Sequence, residues 1–186
     1  MSITELAPRR DIGEASDRDW FWSQIAVEPD ATNPDQQWRL ASFRHVLKSF
    51  SDQELVDFIH LFQAMMARLY SWRLWAAAYV INGGCGDDSF IDFRHWLISS
   101  GRAIAEAVLA DPDSLADLGL SPDAPFFERF GYEPSDEFMR RSGGVRPRPT
   151  HKTPIDTPSD PDWSFDFDDA EEMRARLPKL MAQFGW

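Results

Sequence analysis

The sequence predicts an all-α protein: one compact bundle of about six core helices, a flexible proline-rich loop, and an aromatic, acidic C-terminal arm. Three observations carry this. Apolar residues recur at helical spacing through the first two thirds of the chain, and capping signals bracket those stretches. No run alternates convincingly as a sheet strand would. At 186 residues with 43% hydrophobic content, the chain is long enough to bury a sizeable core.

Residues 1–16 are expected as a loose leader and 17–141 as the helical core. Ser16 with Asp19 reads as a capping pair ahead of DWFWSQIAVE. Asn33–Pro34 reads as the start of a second helix ending near Phe50, with proline at the first helical position. Ser51 and Glu54 form a capping box for the third. There Leu55, Phe58, Ile59, Phe62, Met65, Met66 and Leu69 share the core face, leaving Asp57, His60, Gln63 and Arg68 on the other. The fourth, WRLWAAAYVI, is apolar almost all round and so predicted to be buried. Asn82 and Gly83 end it.

A fifth helix is expected from near Asp88 through SFIDFRHWLISS to Gly101, with Asp87 or Asp88 as its cap, and a sixth over GRAIAEAVLA up to Asp111–Pro112. APFFERF and SDEFMRR read as two short helices separated by GYEPS. Residues 142–162 are expected as a linker, and 163–186 as an arm packed on the core. In that arm Trp163, Phe165 and Phe167 alternate along an extended segment. Met173, Leu177, Leu180, Met181 and Phe184 then form a helical stripe, with Pro178 as a kink or fresh start.

The balance of 31 acidic against 19 basic residues gives a formal charge of −12. Such a field repels phosphate backbones, so nucleic acid and anionic membranes are not expected partners, whereas a basic protein surface is. The single cysteine excludes an internal disulfide and a multi-thiolate zinc site. The longest apolar run, Leu74 to Ile81, is far shorter than a membrane span, and no signal peptide is visible. A cytoplasmic protein is expected, and no cofactor is implied.

Chemistry concentrates in INGGCGDDSF, residues 81–90. As a phosphate cradle it lacks the Lys–Ser/Thr pair of a P-loop and the strand that precedes a dinucleotide fingerprint. Asp88, Asp92 and His95 recur at i, i+4 and i+7, a weak candidate metal face, though with Ser99 they read more simply as a solvated stripe. Cys85 lacks a visible histidine partner for thiol catalysis. Arg94 falls on the apolar face of its helix and must find carboxylates or carbonyls there. Asp87 or the acidic stretch Asp166–Asp169 could clamp it; otherwise it is an anion-recognising arginine on a pocket floor.

The segment Trp72–Arg102, with Phe21–Trp22, ADPDSLADL at 110–118 and the tail leading into RLPKL, resembles the uncharacterised family DUF4240. The resemblance implies an all-helical, bacterial, cytoplasmic protein. Arg73 and Gly86 depart from the pattern, which has an acidic residue and a serine at those places.

The leading functional expectation is a non-enzymatic interaction or regulatory module engaging another protein, in the manner of an inhibitor or immunity protein. The alternative is a small-molecule-binding protein or enzyme. Its pocket would be built from Asn82, Gly83, Gly84, Cys85, Asp87, Asp88, Arg94 and Arg102.

Overall fold

The computed structural model describes residues 2–25, 36–122, 124–150 and 158–185. Among them the fold is all-α. In order the helices are α1 (Ala15–Ser23), α2 (Gln36–Ser49), α3 (Asp52–Arg68), α4 (Trp72–Asn82), α5 (Asp87–Ser99), α6 (Arg102–Ala110), α7 (Glu128–Ser142), α8 (Ala170–Arg176) and α9 (Pro178–Phe184). Short 3-10 turns occur at Ile3–Glu5, Pro112–Leu118 and Pro161–Trp163. The expected Asn33–Pro34 helix start lies outside the described residues.

α3, α4 and α5 form the centre because their sequences are apolar on more than one face. Leu55, Phe58, Leu61, Leu74, Ala76, Ala77, Ala78, Phe90 and Phe93 have no solvent exposure. The Ser51–Glu54 capping box forms as expected. α4 ends at Gly83, whose φ of 64° is the left-handed conformation that glycine adopts without penalty. The aromatics separate into two neighbouring clusters. Around Phe58 gather Trp20, Phe21, Phe43, Phe50 and Phe62, with Phe43 stacked on Phe130 at 4.2 Å. Around Phe90 gather Tyr70, Trp75 and Phe93.

Several elements differ from expectation. α1 begins before Ser16, with Glu14 at its cap position and no side-chain cap bond. Asp17 anchors that end instead, accepting from the Asp11 amide and the Arg10 guanidinium. Residues 2–14 pack on the core: Ile3 is buried, and the Arg9 amide donates to Asp57 at 2.7 Å. Asp57, expected on a solvated face, is therefore buried, its carboxylate also taking a bond from Gln53.

The largest difference is α7. GYEPS does not interrupt it; a single fifteen-residue helix runs through Pro134. Proline there forfeits one backbone bond to Phe130. Burial of Phe130, Pro134 and Phe138 against α2, α3 and α5 offsets that loss. Ion pairs help: Glu133 receives both Arg44 and Arg129. Glu137 is held down to about 2 by Arg140 and, less strongly, by Arg141.

The C-terminal arm folds back on its own chain. Ser159 pairs with Ser71 in an isolated parallel bridge, and Arg73 reaches both the Leu109 carbonyl and Asp160. Phe167 packs edge-on against Trp72 and Tyr79. Trp163, Phe165 and Phe167 are half-buried while the residues between them are exposed, so the expected alternation holds although no strand forms. Pro178 starts α9 afresh. Its cap comes from a distance, since Asp113 accepts from the Lys179 and Leu180 amides.

Candidate functional site

α3, α5 and α7 leave a cavity of about 530 Å³ between them. α3 contributes Ile59, Phe62, Gln63 and Met66, followed by Tyr70; α4 contributes Trp75. α5 contributes Asp87, Phe90, Ile91, Arg94 and His95, and α7 contributes Gly131, Tyr132, Pro134 and Ser135, with Pro149 beyond them. The walls are thus largely apolar and aromatic, the composition typical of small-molecule sites.

Arg94 is the central charged group. It is 4% exposed. Its Nε donates to the Phe90 carbonyl at 3.3 Å and its Nη1 to the Met66 carbonyl at 2.9 Å. Met66 lies in the last turn of α3, where carbonyls lack helical partners, so Arg94 caps α3 from α5. Its guanidinium carbon stands 5.0 Å from the Tyr70 ring centre and 4.8 Å from that of Phe90. Burial lowers its pKa to about 10, which still leaves it charged at neutral pH.

Neither expected carboxylate reaches Arg94, and among the described residues no other forms an ion pair with it. Asp168 instead accepts from the Tyr79 hydroxyl, Asp169 caps α8, and Asp87 lies exposed in the first turn of α5. Arg141 provides the contrast. It too caps a helix in trans, donating to the Leu47 and Phe50 carbonyls, but it also meets Glu137 and Asp52. A guanidinium offers more N–H donors than the two carbonyls that Arg94 meets.

His95 is buried rather than solvated because α7 covers that side of α5, and Ser99 is buried where Arg39 of α2 donates to its hydroxyl. The His95 ring lies flat on Gly131: a Cβ there would fall 2.0–2.3 Å from three ring atoms. Burial depresses the imidazole to about 4, with Arg94 adding to the effect, so it is neutral at pH 7. Its Nδ1 makes no hydrogen bond and stands 3.9 Å from Asp92. Burial raises Asp92 to about 6, reinforced by Glu128 and Asp88. Asp88 is exposed, and among the described residues no three acidic, histidine or cysteine groups could hold a metal ion together.

These two titrations oppose each other. The unfolded chain protonates His95 near 6.5 and the folded chain near 4, so that group alone makes stability fall as pH drops across this range. Asp92 works in reverse, because the folded state holds a proton below about 6 that the unfolded state releases until near 3.8. Between pH 6 and 4 they cancel. Asp92→Asn is expected to unmask His95, deepening the loss of stability by about 1 kcal/mol between pH 6 and 5. Urea titrations at several pH values measure this, and parallel slopes in the two proteins would remove the shift assigned to Asp92.

The other sequence candidates lie apart from the cavity. Asn82 closes the α4–α5 joint by donating to the Gly84 carbonyl, and Gly83 and Gly84 face open space. Trp75 fixes the same joint through the Cys85 carbonyl at 2.8 Å. Cys85 is buried, and burial with Asp92 nearby pushes its thiol up to about 12, which suits packing rather than nucleophilic attack. Gly86, not Asp87 or Asp88, is the cap residue of α5; both aspartates sit in its first turn. Arg102 pairs with Asp19 and Glu106 on the surface. Of the eight candidates, the structure brings only Asp87 and Arg94 to the cavity. The α7 wall went unread because GYEPS resembles a break, although Phe130, Pro134 and Phe138 recur every four residues through it.

The profile of DUF4240, a protein family of unknown function, matches residues 17–140. The chain belongs to the DUF4240 family. The matched span begins in α1 and ends in α7, so it contains all the cavity-lining residues except Pro149. The α8–α9 arm that packs on α4 lies beyond it. No curated protein matches the chain, and no solved structure does. No helix of the described residues is long and apolar enough to cross a membrane.

Proposed function

We propose that this DUF4240 protein binds a small organic molecule in the α3–α5–α7 cavity, with Arg94 receiving an anionic group of the ligand. One observation carries the reading. Arg94 is a buried guanidinium in the wall of an aromatic cavity, with spare donors and no carboxylate partner among the described residues. Keeping such a charge out of water is costly unless something compensates it, and two carbonyls do so only in part. An anionic ligand supplies the rest.

The structural duty of Arg94 leads to a separate expectation. Arg94→Ala leaves the end of α3 uncapped and is expected to cost about 2 kcal/mol. For a chain of this size that is roughly a 4–8 °C fall in Tm. An unchanged Tm would remove the capping role. Arg94→Lys keeps a positive charge near the end of α3 but loses the planar fork, which separates folding from recognition. A thermal-shift screen of small organic anions tests the function: compounds should raise the Tm of the wild type and have little effect on Arg94→Lys. If cavity-sized compounds, charged or neutral, leave the wild-type Tm unmoved, the reading fails.

The protein–protein reading retains the net charge of −12 as its support. The aromatic arm is folded onto α4 and is not free to engage a partner. A stoichiometric complex with a basic protein that dissociates at high salt would favour that reading.

A further inference from the structure

We infer that the ligand class of this cavity is a flat aromatic monocarboxylate, bound with its carboxylate on the open donors of Arg94 and its ring between the aromatic walls. The inference rests on the binding reading above and narrows it by charge, by donor geometry and by wall chemistry.

Charge comes first. Arg94 is the only cationic group among the described cavity-lining residues, because His95 is neutral at pH 7. Asp87 lines the same cavity, and Asp88 and Asp92 flank it on α5. One guanidinium in that acidic setting balances a single negative charge. A phosphate monoester brings nearly two, and the second would face the carboxylates with no cation to meet it.

Donor geometry agrees. With Nε and one Nη1 hydrogen directed at backbone carbonyls, both N–H groups of Nη2 and one of Nη1 are left open. Two neighbouring in-plane donors match the two oxygens of a carboxylate. The walls then select the body. Trp75 stacks on Phe90 at 4.7 Å and 16°, Tyr70 lies 6.1 Å from Phe90, and Phe62 and Tyr132 face the cavity from α3 and α7. Rings so arranged favour another ring, offset-stacked or edge-on, over a flexible alkyl chain that would lose rotational freedom on entry.

The test uses the full chain and a neutral naphthalene-based fluorescent dye that reports occupancy of the cavity. Benzoate, 2-naphthoate and indole-3-carboxylate compete against it, beside indole-3-carboxamide, phenyl phosphate and octanoate. At least one aromatic carboxylate is expected to displace the dye with a Kd tenfold or more below those of the amide, the phosphate and octanoate. In Arg94→Lys the margin over the amide should shrink to under threefold. A dye that binds but yields to none of the three aromatic carboxylates overturns the ligand class and leaves the cavity reading standing. So does a carboxamide, phosphate or alkyl acid that competes as well as they do. If neither the dye nor any competitor binds the folded protein, both inferences fall together.

Discussion

A chain ending at Asp162 is expected not to fold. The arm removed by that truncation contributes Met173, Leu177 and Leu180, all without solvent exposure, and Met181, nearly so. Each such side chain contributes about 1.5–3 kcal/mol by leaving water. Together they supply roughly 6–12 kcal/mol, which is comparable to the whole stability of an ordinary domain at about 5–15 kcal/mol. The truncation also strips Phe167 from Trp72 and Tyr79, and leaves Asp113 without the two α9 amides it accepts. Far-UV circular dichroism during a thermal melt reads the outcome. A cooperative transition within a few degrees of the full-length Tm would mean that the arm is an appendage, and would reopen it as a surface for partners. Leu180→Ala gives a graded version, expected to cost about 2–5 kcal/mol. The arm therefore bears on function: α9 packs on α4 and Phe167 lies against its Trp72 and Tyr79, while Trp75 of the same helix, stacked on Trp72, lines the cavity.

Helix existence was legible wherever the apolar rhythm was uninterrupted. The Ser51 box, the burial of α4, the Gly83 stop and the Pro178 restart all follow from local rules, and the structure contains each of them. What the rules could not supply was which polar face would be covered. Asp57 and His95 lie opposite apolar stripes, so each reads as solvated until a second element is laid over it. The leader does this to Asp57, and α7 to His95. For Arg94 the apolar position was legible but the partners were not. Carbonyls at a helix end have no signature in composition, whereas acidic residues are easily seen and so were expected. The cavity depended on the same step. Of its α5 wall only Asp87 and Arg94 were read as site residues, and its α7 wall required reading through a proline that usually ends a helix.

Gly131→Ala is expected to destabilise the protein by about 2 kcal/mol or more, although the same change in an open helix stabilises by about 1 kcal/mol. The added Cβ would lie 2.0 Å from the Cε1 of His95 and 2.1 Å from its Nε2, far inside van der Waals contact. The imidazole has little room to retreat. It is buried, with Phe62 at 6.0 Å and Tyr132 at 6.1 Å between ring centres, and Phe127 at the start of α7 is tied by its amide to the Asp92 carbonyl. Either α7 lifts away from α5 or the ring leaves its rotamer, and both open the cavity wall beside Arg94. A double-mutant cycle isolates the contact. His95→Ala alone loses packing, but in that background the Gly131 methyl has space, and Gly131→Ala should turn neutral or mildly stabilising. Urea denaturation of the four proteins would then give a coupling of at least about 2 kcal/mol. Equal costs in both backgrounds would separate Gly131 from His95 and place its requirement elsewhere in α7. The result reaches the proposed site as well. If the seam between α5 and α7 is set by one imidazole lying on one glycine, the width of the cavity is set there too, and Gly131→Ala should weaken aromatic carboxylate binding with Arg94 itself unaltered.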